Sequence, residues 1–336
     1  MRIAVLAHES FPDRAKTAVG LLRYGDHEIR AVVDREHAGQ RVADLLPDVQ
    51  DAPIVESMAD VPEVDALVIG IAPIGGEFDE SWRPDVRAAL ERGCDVLSGL
   101  HDFLEDDAEF VDLAADHGGE LRDLRKPPED LTVAEGTAGE VDARVVTTVG
   151  TDCSTGKMTT AFELRDAARE RGLDAAVVPT GQTGVAITGW GIVVDRVIAD
   201  YAAGAVERLV ETPAEKDVLF VEGQGAVAHP AYSGVTTSIL HGSAPDALVL
   251  CHNAGQEVVH GYESFEIPPL PEYVDVYERL SAPVADADVV AGAINTSGMA
   301  AAAAERAVAE YADAIDAPAT DPVRDGVTDD VLDAVL

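Results

Sequence analysis

Short apolar runs alternate with longer amphipathic stretches along the whole chain. Arg2–Ala7, Ile29–Val33, Ala66–Ile71 and Cys94–Leu97 are continuous rather than alternating in hydrophobicity, which predicts strands buried on both faces. Helical spacing fills the intervals near Ala15–Tyr24, over Pro84–Arg92 and over Phe103–His117, the last closed by Gly118-Gly119. Beyond a polar, Pro/Gly-bearing stretch the rhythm resumes. Strands are predicted at Val145–Gly150, Ala175–Val178, Asp217–Val221, Ala247–Cys251 and Val289–Ile294. Helices are predicted at Thr159–Arg171, Val194–Val210 and Ala300–Ile315, with a short one closing the chain. Such alternation implies α/β architecture with mostly parallel sheets and right-handed crossovers. Two domains are expected, 1–126 and 143–336, joined by a connection over 127–142. The first half reads as Rossmann-like, although its first strand lacks the Gly-x-Gly-x-x-Gly fingerprint. Ile71–Gly76 reads as a glycine turn at a strand end. Asp34, at the end of the second strand, is either a ribose ligand or an ordinary turn aspartate.

The second half opens on the stretch that organises it: Gly150, Thr151, Asp152, Cys153, Ser154, Thr155, Gly156, Lys157, Met158 and Thr159, between a β-branched run and a helical pattern. This is the strand–loop–helix plan of a P-loop, in which backbone N–H groups and a lysine surround phosphate at a helix N-terminus. Five residues separate Gly150 from Gly156 instead of four. Met158 stands where a Ser or Thr hydroxyl would hold Mg²⁺. The loop is suited to gripping phosphate and poorly suited to Mg-nucleotide hydrolysis.

Other polar, glycine-bearing segments fall at the carboxyl ends of predicted strands, where ligands of open parallel sheets gather. These are Gly181–Gly184 with Gln182 and Thr183, Glu222–Gly225 with Gln224, His252-Asn253, and Asn295–Gly298. Glu222 is a candidate metal ligand, amine-orienting group or base, or a carboxylate satisfying loop N–H groups. His229 and His241 flank the segment 230–240 and are either proton carriers or structural hydrogen-bonders. Cys153 is a candidate thiol nucleophile or a small loop filler. Metal-site spacing of Cys and His is absent, and no metal is expected.

Charge narrows the partners. The chain of 336 residues carries 63 acidic against 24 basic residues, a net charge of −39, with lysine only at positions 16, 126, 157 and 216. A surface this acidic and lysine-poor fits a high-salt cytoplasm, where screening makes self-repulsion tolerable. Nucleic-acid binding is not expected without a basic face. No apolar run is long enough for a membrane span, and the first strand is too brief for a signal peptide. Three widely spaced cysteines imply no disulfide framework. A cytoplasmic homo-oligomer acting on small molecules is expected.

The residues resemble known families. Gly150–Lys157 is similar to the expanded P-loop of dethiobiotin synthetase, and Val221-Glu-Gly resembles that family's acidic motif; the likeness lapses at Met158. A nearly full-length resemblance is to a two-domain family with a Rossmann-like first half and a P-loop second half. It rests on Ser98–Leu104, Gly150–Thr160, Pro179–Gly184, Val221–Gly225 and Leu240–Ser243. That family includes D-glutamate N-acetyltransferases of marine bacteria and halophilic archaea, which use acetyl-CoA in D-amino-acid catabolism. The resemblance implies this activity, with acetyl-CoA as donor substrate. It accords with a loop that holds phosphate without cleaving it. In this reading residues 150–159 grip the CoA phosphates and Asn295 reads the adenine. Gln182, Thr183 and Gln224 meet the substrate, and Glu222, His229 or His241 takes a proton. A Mg-ATP-dependent ligase or kinase of the dethiobiotin-synthetase type is the alternative.

The charge makes a prediction of its own. Dialysis from molar to low salt is expected to lower the melting temperature, because acidic self-repulsion loses its screening; an unchanged value would refute adaptation to high salt.

Overall fold

The computed structural model describes residues 1–71 and 75–336, so the turn expected over Ile71–Gly76 lies partly outside the described residues. The chain forms two compact units, Met1–Pro127 with Gln182–Val193, and Pro128–Gly181 with Val194–Leu336.

The first unit contains β1 (Arg2–Leu6), α1 (Lys16–Tyr24), β2 (Glu28–Val33), α2 (Val42–Leu45), β3 (Ile54–Val55), β4 (Ala66–Ile69), α3 (Arg83–Glu91), β5 (Asp95–Ser98), α4 (Ala108–His117) and β6 (Leu121–Asp123). Its strands pair in parallel in the order β3-β2-β1-β4-β5-β6, the Rossmann arrangement. Ile3, Val5 and Leu6 are fully buried, as a two-sided central strand requires. The helix expected over Phe103–His117 begins later. A 3₁₀ turn covers Leu104–Asp106, and the Asp107 carboxylate then accepts from the Glu109 and Phe110 amides, capping α4 at Ala108. Gly118 ends α4 in the left-handed conformation.

The second unit contains β7 (Arg144–Gly150), α5 (Lys157–Glu170), β8 (Ala175–Val178), α7 (Ala199–Glu211), β9 (Val218–Val221), α8 (Ser233–Ser243), β10 (Ala247–Asn253), β11 (Val258–Val259), β12 (Tyr262–Glu266), α9 (Leu270–Ser281), β13 (Asp288–Asn295), α10 (Ala301–Ile315), β14 (Ala319–Thr320) and α11 (Asp329–Val335); α6 (Gln182–Thr188) belongs with the first unit. Six strands form a parallel sheet in the order β14-β13-β10-β7-β9-β8. The P-loop strand β7 is therefore central, and Val149 joins Leu248, Leu250, Tyr273, Tyr277 and Tyr311 in one core. Two expectations change here. The helix foreseen from Val194 starts at Ala199, after a 3₁₀ turn over Val194–Arg196, and Gly181–Gly184 is not a loop, because α6 begins at Gln182. The connecting segment is pinned from within this unit. The buried Glu207 carboxylate on α7 accepts from the amides of Glu135 (2.6 Å), Gly136 (2.7 Å) and Thr137 (2.7 Å).

Gly223, just after β9, donates its amide to Thr148 Oγ1 at 3.0 Å. A Cβ there would sit 1.8 Å from the Thr148 carbonyl oxygen. Gly223→Ala is expected to destabilise by at least the about 1–3 kcal/mol typical of overpacking, read as a lowered melting temperature. Gly234→Ala in the first turn of α8, where no atom lies within 4 Å of an added Cβ, is the control expected to be neutral or stabilising.

Candidate active site

The turn from β7 into α5 needs left-handed backbone at Ser154 (φ 55°) and Gly156 (φ 91°); glycine adopts it freely, and serine does so at a cost. The loop folds around Lys157. The ammonium donates to the Asp152 carbonyl at 2.7 Å and to Thr155 Oγ1 at 3.3 Å. Gly150 leaves the space this needs, since a Cβ there would lie 2.8 Å from Lys157 Nζ and 2.6 Å from Thr155 Oγ1. Met158 is buried, only 4% exposed, so its thioether packs in the interior. Thr159 and Thr160 face a cavity of about 320 Å³ that Thr155, Gly156, Asn295, Ser297 and Arg324 also line.

Helix α9 fixes the loop from behind. Tyr273 donates its hydroxyl to the Thr151 carbonyl and Tyr277 to the Gly150 carbonyl, both at 2.7 Å, and Tyr277 also accepts from the Val227 amide at 3.1 Å. Burial pushes both phenols well above the usual tyrosine range, so they act as neutral donors. Thr151 further binds its hydroxyl to His252 Nδ1 at 2.8 Å. Burial pushes the His252 imidazole down to about 4, which keeps it neutral at physiological pH.

Asp152 ties the loop to the β11–β12 hairpin. Its carboxylate is fully buried and accepts from the Cys153 amide at 2.6 Å, the His260 amide at 2.7 Å and the Gln256 side-chain amide. Three N–H donors satisfy this buried carboxyl group. The fold also brings His229 to this end of the loop, its Nε2 3.8 Å from Asp152 Oδ1. Ligating atoms of Asp152, Cys153 and His229 lie within 4.8 Å of one another, a grouping that their spacing along the sequence does not disclose.

Glu222 stands at the end of β9, 1% exposed, and its Oε2 accepts from the Thr180 and Gly181 amides at 3.2 Å each. These bonds fix the position of the carboxylate. Gln224 donates to Thr180 Oγ1 at 3.3 Å, and Gly181 is small because an added Cβ would lie 2.4 Å from Gln224 Nε2. Asn295 borders the cavity, with its amide donating to Asn253 Oδ1 at 3.1 Å and its carbonyl accepting from the Ser297 amide at 3.0 Å.

Three further expected residues have the following partners. His241 lies in the last turn of α8 and donates Nε2–H to the Leu280 carbonyl at 2.8 Å, joining α8 to the end of α9. Gln182 and Thr183 sit in the first turn of α6 within the first unit. There Thr183 Oγ1 is 2.7 Å from Thr17 Oγ1, and Gln182 packs where Gly99 lacks a side chain. Asp34 is fully buried and bonded to the Glu9 amide and to His37 Nδ1 at 2.6 Å, the satisfied turn aspartate of the two readings. Sequence reasoning missed Tyr273, Tyr277, Gln256 and the loop at Asp321–Arg324. The tyrosines carry a signal, an i, i+4 aromatic pair in an amphipathic helix; the loops carry none.

Comparison with known proteins agrees with this architecture. A D-glutamate N-acetyltransferase from Pseudoalteromonas sp. is 36% identical over 264 residues, covering 78% of each chain. One from Tritonibacter scottomollicae is 37% identical over 261 residues, covering 77% of this chain and 78% of its own. The crystal structure of a DUF1611 family protein from Anabaena variabilis ATCC 29413 superposes with a TM-score of 0.93 at 39% identity, over 99% of this chain and 98% of that one. The DUF1611 P-loop domain, a domain of unknown function, matches residues 132–332, and the Rossmann-like DUF1611_N domain matches 35–127. The chain is a member of the DUF1611 family.

Proposed function

We propose that this protein is an N-acetyltransferase that moves acetyl from acetyl-CoA to the amino group of D-glutamate. The relatives support a transferase; the observation in the chain itself that carries the reading is the pairing of Lys157 with a buried Met158. A lysine retained at the phosphate position, in a chain with only four lysines, serves binding. A thioether packed inward is no ligand for a hard cation that prefers oxygen. The loop thus suits a donor whose phosphates are held and not cleaved, and acetyl-CoA is such a donor.

In this reading the adenosine end occupies the cavity beside Asn295 and Arg324, and the phosphates replace the Asp152 carbonyl and Thr155 hydroxyl as partners of Lys157. Glu222, whose carboxylate is anchored by the Thr180 and Gly181 amides, orients the D-glutamate ammonium and accepts one proton from it. The amine nitrogen bonds to the thioester carbon, and the carbon–sulfur bond breaks. The CoA sulfur leaves with the electron pair and takes the second nitrogen proton, lost as the amide forms, while the first passes from Glu222 to solvent. Preorganised N–H donors stabilise the tetrahedral oxyanion between these steps.

Incubation with acetyl-CoA and D-glutamate, in high salt, is expected to give N-acetyl-D-glutamate with EDTA present and ATP absent. Loss of turnover on EDTA with rescue by magnesium and ATP would replace this reading with the ligase. Lys157→Ala is expected to weaken acetyl-CoA binding by the about 1.5–3 kcal/mol of a charge-assisted hydrogen bond, roughly 10–150-fold in Kd, with the melting temperature retained. Equal affinities by calorimetry would remove the loop from donor binding.

A further inference from the structure

The loop after β14 is built onto the end of β13. Asp321 is 4% exposed, and its Oδ2 accepts from the Thr296 amide at 2.8 Å and the Thr296 hydroxyl at 2.6 Å. Its Oδ1 accepts from the Val323 and Arg324 amides at 3.1 Å each. The carboxylate is thus satisfied within the loop. Arg324 closes the same tie from the other side, its Nη2 donating to the Thr296 carbonyl at 3.1 Å and the Met299 carbonyl at 3.0 Å. The guanidinium is therefore bonded to the residue that follows Asn295, and both side chains line the cavity beside the P-loop. Among the described residues lining that cavity, Asp321 is the one acid and Arg324 the one base.

Such an arginine is unusual in this chain. Acids outnumber bases 63 to 24, and Arg83, Arg171 and Arg208 each reach a carboxylate. Arg324 is exposed and bonds through one nitrogen to two main-chain carbonyls. Its position is fixed, while Nε and Nη1 keep their hydrogens for an incoming anion. We propose that Arg324 binds a phosphate carried on the ribose of the donor, and so selects coenzyme A over dephospho-coenzyme A and ADP. The proposal rests on the acetyl-CoA reading. Coenzyme A differs from those two ligands in the phosphate on its ribose 3′ oxygen. A monoester of about −1.5 to −2 charge, brought to a chain of net −39, requires a local cation.

The two ends of the nucleoside set where that phosphate falls. The base lies in the cavity, whose walls include the apolar Ile294, Pro322 and Val323, and the diphosphate lies at Lys157. Thr155 joins the two places, since it lines the cavity and its Oγ1 is 3.3 Å from Lys157 Nζ. The ribose bridges them. With base and diphosphate directed inward, its hydroxyl-bearing edge faces the open side, where the exposed Arg324 stands. Asp321 spends its oxygens on four donors of the loop, so the guanidinium does not have to compensate it. In dinucleotide sites an arginine accommodates a ribose phosphate in the same manner. Arg324 touches no reacting atom; its part is selection of the donor.

Calorimetry on the full-length protein in high salt, with coenzyme A, dephospho-coenzyme A and ADP, tests this. Wild type is expected to bind coenzyme A roughly tenfold more tightly than dephospho-coenzyme A, the low end for a charge-assisted hydrogen bond because the arginine is exposed. Arg324→Gln is expected to lose the preference by weakening coenzyme A alone, with dephospho-coenzyme A bound as before. Arg324→Lys keeps the charge and is expected to retain part of it. In acetyl transfer the Gln variant is expected to raise the KM for acetyl-CoA and leave kcat, as loss of uniform binding does. A wild type without the preference overturns the proposal, whether or not a variant folds. So does Arg324→Gln that keeps the preference, or that weakens both ligands equally, the mark of a residue that only ties down the loop. Acetyl transfer with no preference sinks the role of Arg324 alone. A preference lost in Arg324→Gln, in a wild type that transfers no acetyl group, upholds the phosphate contact and sinks the transfer reading. A wild type that binds neither form of coenzyme A sinks both.

Discussion

The site depends on how the P-loop main chain is held where it leaves β7. Gly150 and Thr151 each turn a carbonyl toward α9, where the Tyr277 and Tyr273 hydroxyls donate to them at 2.7 Å. Thr151 also gives its amide to the Cys251 carbonyl on β10 at 3.0 Å. Each bond contributes about 1 kcal/mol net, but leaving any of these buried groups without a partner costs more. The loop is thereby fixed in a shape that its own sequence does not enforce, since Ser154 occupies left-handed backbone. Rigidity of this kind is what a phosphate cradle requires, because donors that must reorganise on binding lose part of their contribution.

The parts of the fold legible in the sequence are those whose cause is local. β7, β9 and β10 are apolar runs bounded by polar turns, and they are strands because a two-sided parallel sheet buries every residue of them. The P-loop is legible because glycine and lysine have physical reasons to stand where they do. Boundaries were less so. Asp107 reads as an ordinary surface acid until its carboxylate is seen to cap α4, and Val194–Arg196 shares its apolar spacing with α7 while forming only a 3₁₀ turn.

Elements of the site that arise from distant contacts were not legible. His229 and Asp152 are far apart in sequence and meet only because α8 follows β9 while the hairpin at β11–β12 returns its His260 amide to Asp152. Periodicity could not separate His229 from His241. The structure does so through hydrogen bonds, with His241 spending Nε2 on a carbonyl of α9 and His229 keeping Nε2 toward the loop. At Gln182 and Thr183 it is the local structure that differs from the expectation. A glycine-rich stretch after a strand resembles a ligand loop, yet α6 starts there and packs with the first unit.

Charge supplies the last constraint. Much of the arginine is engaged with surface carboxylates: Arg83 reaches Glu80, Asp107 and Glu109, and Arg171 reaches Asp329 and Asp333. Exposed pairs of this kind add little stability each, and they cannot offset a net charge of −39. An anionic ligand approaching such a surface meets repulsion at long range, so its capture must rely on short-range, desolvated donors. Lys157 is one of only four lysines and is 6% exposed. Burial shields it from the salt that screens the surface. On the proposed reading, salt that screens the acidic exterior leaves a contact between Lys157 and a donor phosphate strong, and a buried lysine within fixed loop backbone meets both demands.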